Sequence, residues 1–371
     1  MSDEAPIVSN VLPCTNGQSI GTLLLNVPAT LNSLTLDMVE LLLEPLEAWQ
    51  NDDSIAAVFI YGSGEKAFCA GGDVQALHKS AVTTPGGPCE YAETFFAREY
   101  RMNHTLHNYS KPVVCWGHGI VMGGGLGIFA GCSHRVVTER TRFAMPEVTI
   151  ALFPDVGGSY FLNKMPGAIG RFLALTAANF NGTDGVFTGF GTVMLANEAR
   201  DSALSTLQAL DWQSDAEGSA DLVSSALAEL STQNSFEVPD GFIAKHQLLI
   251  NELCEGDIKD VYTRIAELET EDSWLCKARD AMKHGSPLAV LWIDRQLSAA
   301  KELSLADALR SELLLATNIV RHPEFAEGVR ALLIDKDRSP NWQFKAPEEV
   351  PGEVLDGFFA SPWAQNPLAD L

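Results

Sequence analysis

Residues 65–74 read Glu65-Lys66-Ala67-Phe68-Cys69-Ala70-Gly71-Gly72-Asp73-Val74, and this stretch decides the fold. It follows an apolar run, Ile55 to Tyr61 (IAAVFIY), closed by Gly62-Ser63-Gly64. That run predicts a buried strand. The chain then turns through Ala70-Gly71-Gly72, and Asp73 opens a helix or loop. Such a turn leaves backbone N–H groups pointing outward, where a developing oxyanion can be held. The same residues also read as an ordinary glycine turn with Asp73 as a helix N-cap.

Outward from this turn, short apolar runs alternate with helical patterns. Gly21 to Val27, Val113 to Trp116, Cys132 to Val137 and Arg142 to Ala144 read as strands. Thr35 to Gln50 has apolar residues at helical spacing: Leu36, Val39, Leu42, Leu43 and Leu46. Tyr91 to Tyr109 reads as a helix that stops before Lys111-Pro112. Strands alternating with helices predict an α/β core with largely parallel pairing. After about Asn197 strand-like runs disappear. Helical patterns take over at Ser202–Leu210, Ala220–Leu230, Ile258–Leu268, Pro287–Ala300, Ser304–Val320 and Phe325–Asp335. Ser286-Pro287 is a helix start, an N-cap serine with proline at the first helical position. The polar stretch Asp211 to Asp240 is the expected boundary region.

Two further segments carry chemistry. Residues 111–131, KPVVCWGHGIVMGGGLGIFAG, put Gly123, Gly124 and Gly125 before a small-residue helix. A helix N-terminus presents free N–H groups and a positive dipole end. Gly125-x-Gly127-x-x-Ala130, with Glu147 some way on, also matches a loose dinucleotide fingerprint. These glycines sit well beyond the first strand, and Glu147 follows Met145-Pro146, unlike a strand end. Residues 143–160, FAMPEVTIALFPDVGGSY, hold Glu147 and Asp155, each directly after a proline. The intervening Val148 to Phe153 is apolar apart from Thr149, so the carboxylates are expected to be partly desolvated. Desolvation raises a carboxylate pKa and suits acid/base or nucleophilic work. Helix caps are the bland alternative for both. His118, in Gly117-His118-Gly119, is expected to be structural, because no motif pairs it with a nucleophile or ligand.

Composition narrows the classes. The chain has 371 residues, 46% hydrophobic and 20% charged, a globular balance that argues against disorder. A formal net charge of −23 repels phosphate backbones, so nucleic acid is not an expected partner. Seven cysteines, an odd number with no C-x-x-C pair, fit a reducing compartment and neither a disulfide framework nor a zinc cluster. No membrane span or export signal is read, and a soluble, cytoplasmic protein is expected. No G-x-S-x-G elbow, phosphate-binding P-loop or H-E-x-x-H motif occurs.

Together with Leu31-Asn32-Ser33-Leu34-x-x-x-Met38, the three segments resemble the crotonase (enoyl-CoA hydratase/isomerase) superfamily. The resemblance covers roughly residues 5–200, and more weakly Glu327 to Leu332. It implies a ββα spiral core over 1–200, with a helical C-terminal region over 201–371 that covers the site or mediates homo-oligomers. It also implies an acyl-CoA substrate whose thioester oxygen is held by the N–H groups of Gly72 and Gly124. Leu31, Ala70, Asp73 and Glu99 fall at substrate-binding positions. In similar hydratases a catalytic glutamate follows the triple glycine. Here that position is Gly127, which has no side chain. The second family glutamate is Glu147. Residues 144–147, 153–158, 95–100 and 334–342 look like 3-hydroxyisobutyryl-CoA hydrolases, and this implies catalytic roles for Glu147 and Asp155. Thioester hydrolysis would then need no metal and no cofactor, CoA being part of the substrate. One departure is Ala29, after Pro28, where members often carry a basic residue near the CoA phosphates. A hydratase or isomerase of the same fold, a nucleotide-dependent oxidoreductase and a non-catalytic acyl-CoA-binding protein are the competing expectations.

Overall fold

A computed structural model describes residues 5–212, 216–233 and 236–371. The acidic start, residues 1–4, and parts of the expected boundary stretch, 213–215 and 234–235, lie outside the described residues. Among the described residues ten strands follow in chain order: β1 (Ile7–Pro13), β2 (Ser19–Leu25), β3 (Ile55–Gly62), β4 (Ala67–Cys69), β5 (Val113–Gly117), β6 (Ile120–Met122), β7 (His134–Val137), β8 (Arg142–Ala144), β9 (Phe180–Asn181) and β10 (Val193–Met194).

The chain repeats a ββα unit. β3 leads to β4 and then to helix α2 (Val74–Thr83). β5 leads to β6 and then to helix α4 (Gly124–Gly131). β3, β5 and β7 enter a six-stranded sheet of order β1-β2-β3-β5-β7-β10. Their followers β4, β6 and β8 enter a four-stranded sheet that ends at β9. In the larger sheet only the β1–β2 pair is antiparallel. β3 and β5 are continuous apolar runs, as strands covered on both faces require. After β10 the described residues hold helices and irregular segments only.

Local signals explain the helices nearest the site. Helix α1 (Leu36–Gln50) starts where the Thr35 side chain accepts the Met38 N–H, and it buries Met38, Val39, Leu42, Leu43 and Leu46. Helix α3 (Glu90–His107) carries Glu99 and Tyr100, both buried. The last of the five, helix α5 (Gly158–Leu162), follows the Asp155 turn.

The chain forms two compact units, each built from three stretches of sequence. One comprises Met1–Gly72, Met102–Phe143 and Phe180–Gly241; the other comprises Asp73–Arg101, Ala144–Asn179 and Phe242–Leu371. The strands belong to the first unit, apart from Ala144 at the end of β8. The second unit is helical. Among the described residues no helix is long and apolar enough to cross a membrane.

Candidate active site

In the first unit two glycine loops lie against each other. Gly71 is left-handed, with φ of 110°, which glycine adopts without steric cost. A Cβ there would come 3.3 Å from the Met122 carbonyl oxygen and 3.7 Å from the Gly124 nitrogen, so the Gly71–Gly72 turn abuts the entry to α4. Gly123, with φ of 48°, precedes Gly124, the first residue of α4. The Gly124 N–H therefore has no acceptor within its own helix. Gly125 packs on β4, where a Cβ would meet the Cys69 carbonyl oxygen at 2.3 Å. The Ala70 N–H donates to the Leu31 carbonyl at 3.0 Å, and the Leu34 N–H to the Gly71 carbonyl at 2.8 Å. Leu31 is itself left-handed, with φ of 57°. Asp73, where the second unit begins, caps α2, its side chain accepting the Ala76 N–H at 3.1 Å. His118 is buried, one ring nitrogen 2.9 Å from the Gly64 carbonyl, and burial lowers its pKa. That is a structural setting.

In the second unit three carboxyl groups are buried together. Glu99 comes from α3, Glu147 from a single 3-10 turn (Glu147–Ile150), and Asp155 from the turn before α5. They are 2%, 4% and 5% exposed. Neither Glu147 nor Asp155 is a helix cap: Pro146 and Gly157 hold the N-cap positions, without side-chain bonds. Glu147 is not at the end of a strand either, and the dinucleotide reading loses its acidic partner. Tyr100 donates its hydroxyl to Asp155 Oδ2 at 2.7 Å. Glu99 Oε1 and Glu147 Oε2 have no hydrogen-bond partner.

Burial sets the electrostatics. It pushes the Glu99 carboxyl well above the usual range, and the charges of Asp155 and Glu147 push it further. Glu147 is raised in the same way, by burial and then by Asp155. Asp155 is raised to about 6 by burial, with the Tyr100 hydroxyl pulling it back. All three carboxyls are therefore held toward their neutral forms, Glu99 and Glu147 by burial and by like charges nearby, and Asp155 by burial.

Two participants were not singled out by sequence. Tyr100 is one, and Glu312 is the other. Glu312 lies in the helix Leu305–Arg321, fully buried, and accepts the Gly157 N–H at 2.7 Å and the Ser159 N–H at 2.9 Å. The turn it holds contains Val156 with φ of 54° and Gly157 with φ of 85°. A β-branched residue in that region costs about 1–3 kcal/mol and persists only where its surroundings enforce it. Among the described residues, no group of three or more His, Cys, Asp or Glu is arranged to hold a metal ion.

A family model described as enoyl-CoA hydratase/isomerase matches residues 20–359. The mitochondrial 3-hydroxyisobutyryl-CoA hydrolase of Gallus gallus is 36% identical over 349 residues, 94% of this chain and 88% of that protein. The protein of the same name from Homo sapiens is 35% identical over 343 residues, 92% of this chain and 86% of that protein. The crystal structure of a carnitinyl-CoA dehydratase from Mycobacterium thermoresistibile superposes with a TM-score of 0.86 at 34% identity, covering 99% of both chains.

Proposed function

The chain belongs to the enoyl-CoA hydratase/isomerase family, and on that premise we propose that it hydrolyses 3-hydroxyisobutyryl-CoA to 3-hydroxyisobutyrate and CoA, a step of valine breakdown. The observation that carries this reading is the buried group Glu99, Glu147 and Asp155 in a chain so similar to 3-hydroxyisobutyryl-CoA hydrolases. A hydratase would need a second acid at the position of Gly127, which lies in the first turn of α4 and has no side chain.

The roles are carried over by motif position. The Gly72 and Gly124 N–H groups take the thioester oxygen. Two fixed donors favour the oxyanion over the neutral carbonyl, each on the order of 3 kcal/mol. Glu147 attacks the carbonyl carbon, giving a mixed anhydride that water then cleaves, or it takes a proton from the attacking water. Either route needs Glu147 as carboxylate, the form that burial disfavours, and Asp155 is the acceptor that the proposal assigns for its proton. The carbon–sulfur bond then breaks, and the departing thiolate takes a proton from the same carboxyl pair. The net change is addition of one water. Glu99 orients substrate or water. Leu31, Ala70 and Asp73 belong to the CoA-binding surface. No cofactor is required, because backbone N–H groups supply the electrophile.

The helices after residue 200 cover the site or join copies of the chain in this reading, and the molar mass in solution from size-exclusion chromatography with light scattering checks the second role. The relatives' names carry the word mitochondrial. Seven free thiols in this chain fit any reducing compartment, the expected cytoplasm included.

The deciding experiment measures thiol release from 3-hydroxyisobutyryl-CoA beside hydration of crotonyl-CoA in one preparation. Fast thiol release with little hydration is expected. Hydration without thiol release would overturn the hydrolase reading.

A further inference from the structure

Glu312 takes no part in the scheme above, yet it is fully buried and surrounded by donors. Its Oε2 accepts the Gly157 N–H at 2.7 Å. Its Oε1 accepts the Ser159 N–H at 2.9 Å and the Ser159 hydroxyl at 2.5 Å. Gln296 donates to Ser159 Oγ at 3.3 Å and to Ser311 Oγ at 2.7 Å, forming an outer layer around the same contact. The three donors to Glu312 belong to Gly157 and Ser159, just after Asp155. The Asp155 carbonyl closes the turn by accepting the Gly158 N–H at 2.6 Å.

The chemistry of the contact is specific. Three donors converge on two oxygens, and an ionised carboxyl is the side chain that accepts on both oxygens without offering a donor of its own. A glutamine of the same shape would turn an N–H₂ toward one of the backbone N–H groups. Burial raises Glu312 to about 8, the Ser159 and Gly157 bonds oppose that rise by favouring the ionised form, and the clamp is complete once the group is ionised. The turn it grips holds two consecutive left-handed residues, Val156 and Gly157. Such a turn does not keep its shape unaided. The Asp155 side chain is anchored by the Tyr100 hydroxyl and by its own backbone N–H. The place of the Asp155 carboxyl is otherwise set by the turn.

We infer that Glu312 is a positioning residue for thioester hydrolysis: its carboxylate clamps the Gly157–Ser159 backbone and so fixes the Asp155 carboxyl for proton transfer. The inference rests on the hydrolase reading for its catalytic meaning, and on the hydrogen bonds alone for its geometry.

The test is a double-mutant cycle on thiol release from 3-hydroxyisobutyryl-CoA, with wild type, Glu312→Gln, Asp155→Asn and the pair. Glu312→Gln is expected to lower kcat by roughly 10-fold or more with KM little changed, because misplacing a reacting group by about 1 Å can cost about 10²-fold. In the Asp155→Asn background the same change should lower kcat by less than about 2-fold, since residues that act as one unit are non-additive. Equal factors in both backgrounds would overturn the positioning role and leave the hydrolase reading standing. If wild type releases no thiol, the hydrolase reading fails. The geometric half is then judged on crystal structures of wild type and Glu312→Gln: a displaced Asp155 carboxyl supports it, and an unmoved one overturns it. Should Glu312→Gln fail to fold, Ser159→Ala removes one of the three donors and is expected to reduce kcat by a smaller factor. An unchanged kcat there would count against the clamp.

Discussion

The glycine loops and the carboxyl group place polar atoms in buried surroundings by opposite means. Around Gly71–Gly72 and Gly123–Gly125 the backbone itself supplies the donors, and missing side chains let the loops touch. Around Glu99, Glu147 and Asp155 side chains from separate elements converge, and their charges are strained by burial. The first arrangement cannot titrate. The second does little else, because protonation decides which of its members is charged. Backbone donors give a fixed field, whereas buried carboxyls give one that pH can change.

The sharpest way to break the contrast is to remove a backbone donor. Gly124→Pro deletes the N–H and is expected to abolish thiol release, a loss on the order of 10³-fold or more. A folded, fully active variant would refute the oxyanion role. Glu147→Gln comes next, with turnover falling by about 10² or more while circular dichroism stays unchanged. Near-normal turnover would remove Glu147 from the chemistry.

Tyr100→Phe sharpens the comparison at smaller scale. The Tyr100 hydroxyl holds the Asp155 pKa down, so its loss should raise that pKa and move the acid limb of kcat/KM to higher pH. Hydrogen bonds to charged groups contribute about 1.5–3 kcal/mol, which corresponds to about 1–2 pH units. An unmoved limb would show that Asp155 does not set it. Glu99→Gln should have the smallest effect, on stability. A carboxyl raised in the folded state stabilises fully below its unfolded pKa of about 4, and that contribution is lost as pH rises toward the folded value. Wild-type Tm should therefore fall as pH rises above about 4, and Glu99→Gln should fall less steeply. Parallel curves would argue against a strained Glu99.

Legibility in the sequence follows the same contrast. The glycine loops were readable because consecutive glycines beside a strand have few other uses, and strand β3 and helix α1 had clear periods. β4, β6, β9 and β10 are two or three residues long, too short for any period to register. The helices Ile243–Leu253 and Ser273–His284 also went unread. Glu147 and Asp155 stood out by their prolines and the apolar run between them. Tyr100 did not, because its link to Asp155 spans 55 residues and no spacing rule reaches that far. Glu312 left a faint trace. It sits three residues after Leu309 and four before Ala316, on the buried face of its helix, where a carboxylate needs a reason to be.

The order in which a ribosome would deliver this chain gives its interleaving a further meaning. The unit that begins at the N-terminus takes its last stretch only with Phe180–Gly241, and the other unit waits for Phe242–Leu371. Neither can close early in synthesis. β3 can pair with β2 as it emerges but waits for its other neighbour, β5, exposing an apolar edge meanwhile. Nascent chains with unpaired apolar strands tend to aggregate and engage chaperones. Slow translation across residues 63–112, between β3 and its partner, would therefore lengthen the exposure, while a nick there would cut through both units at once.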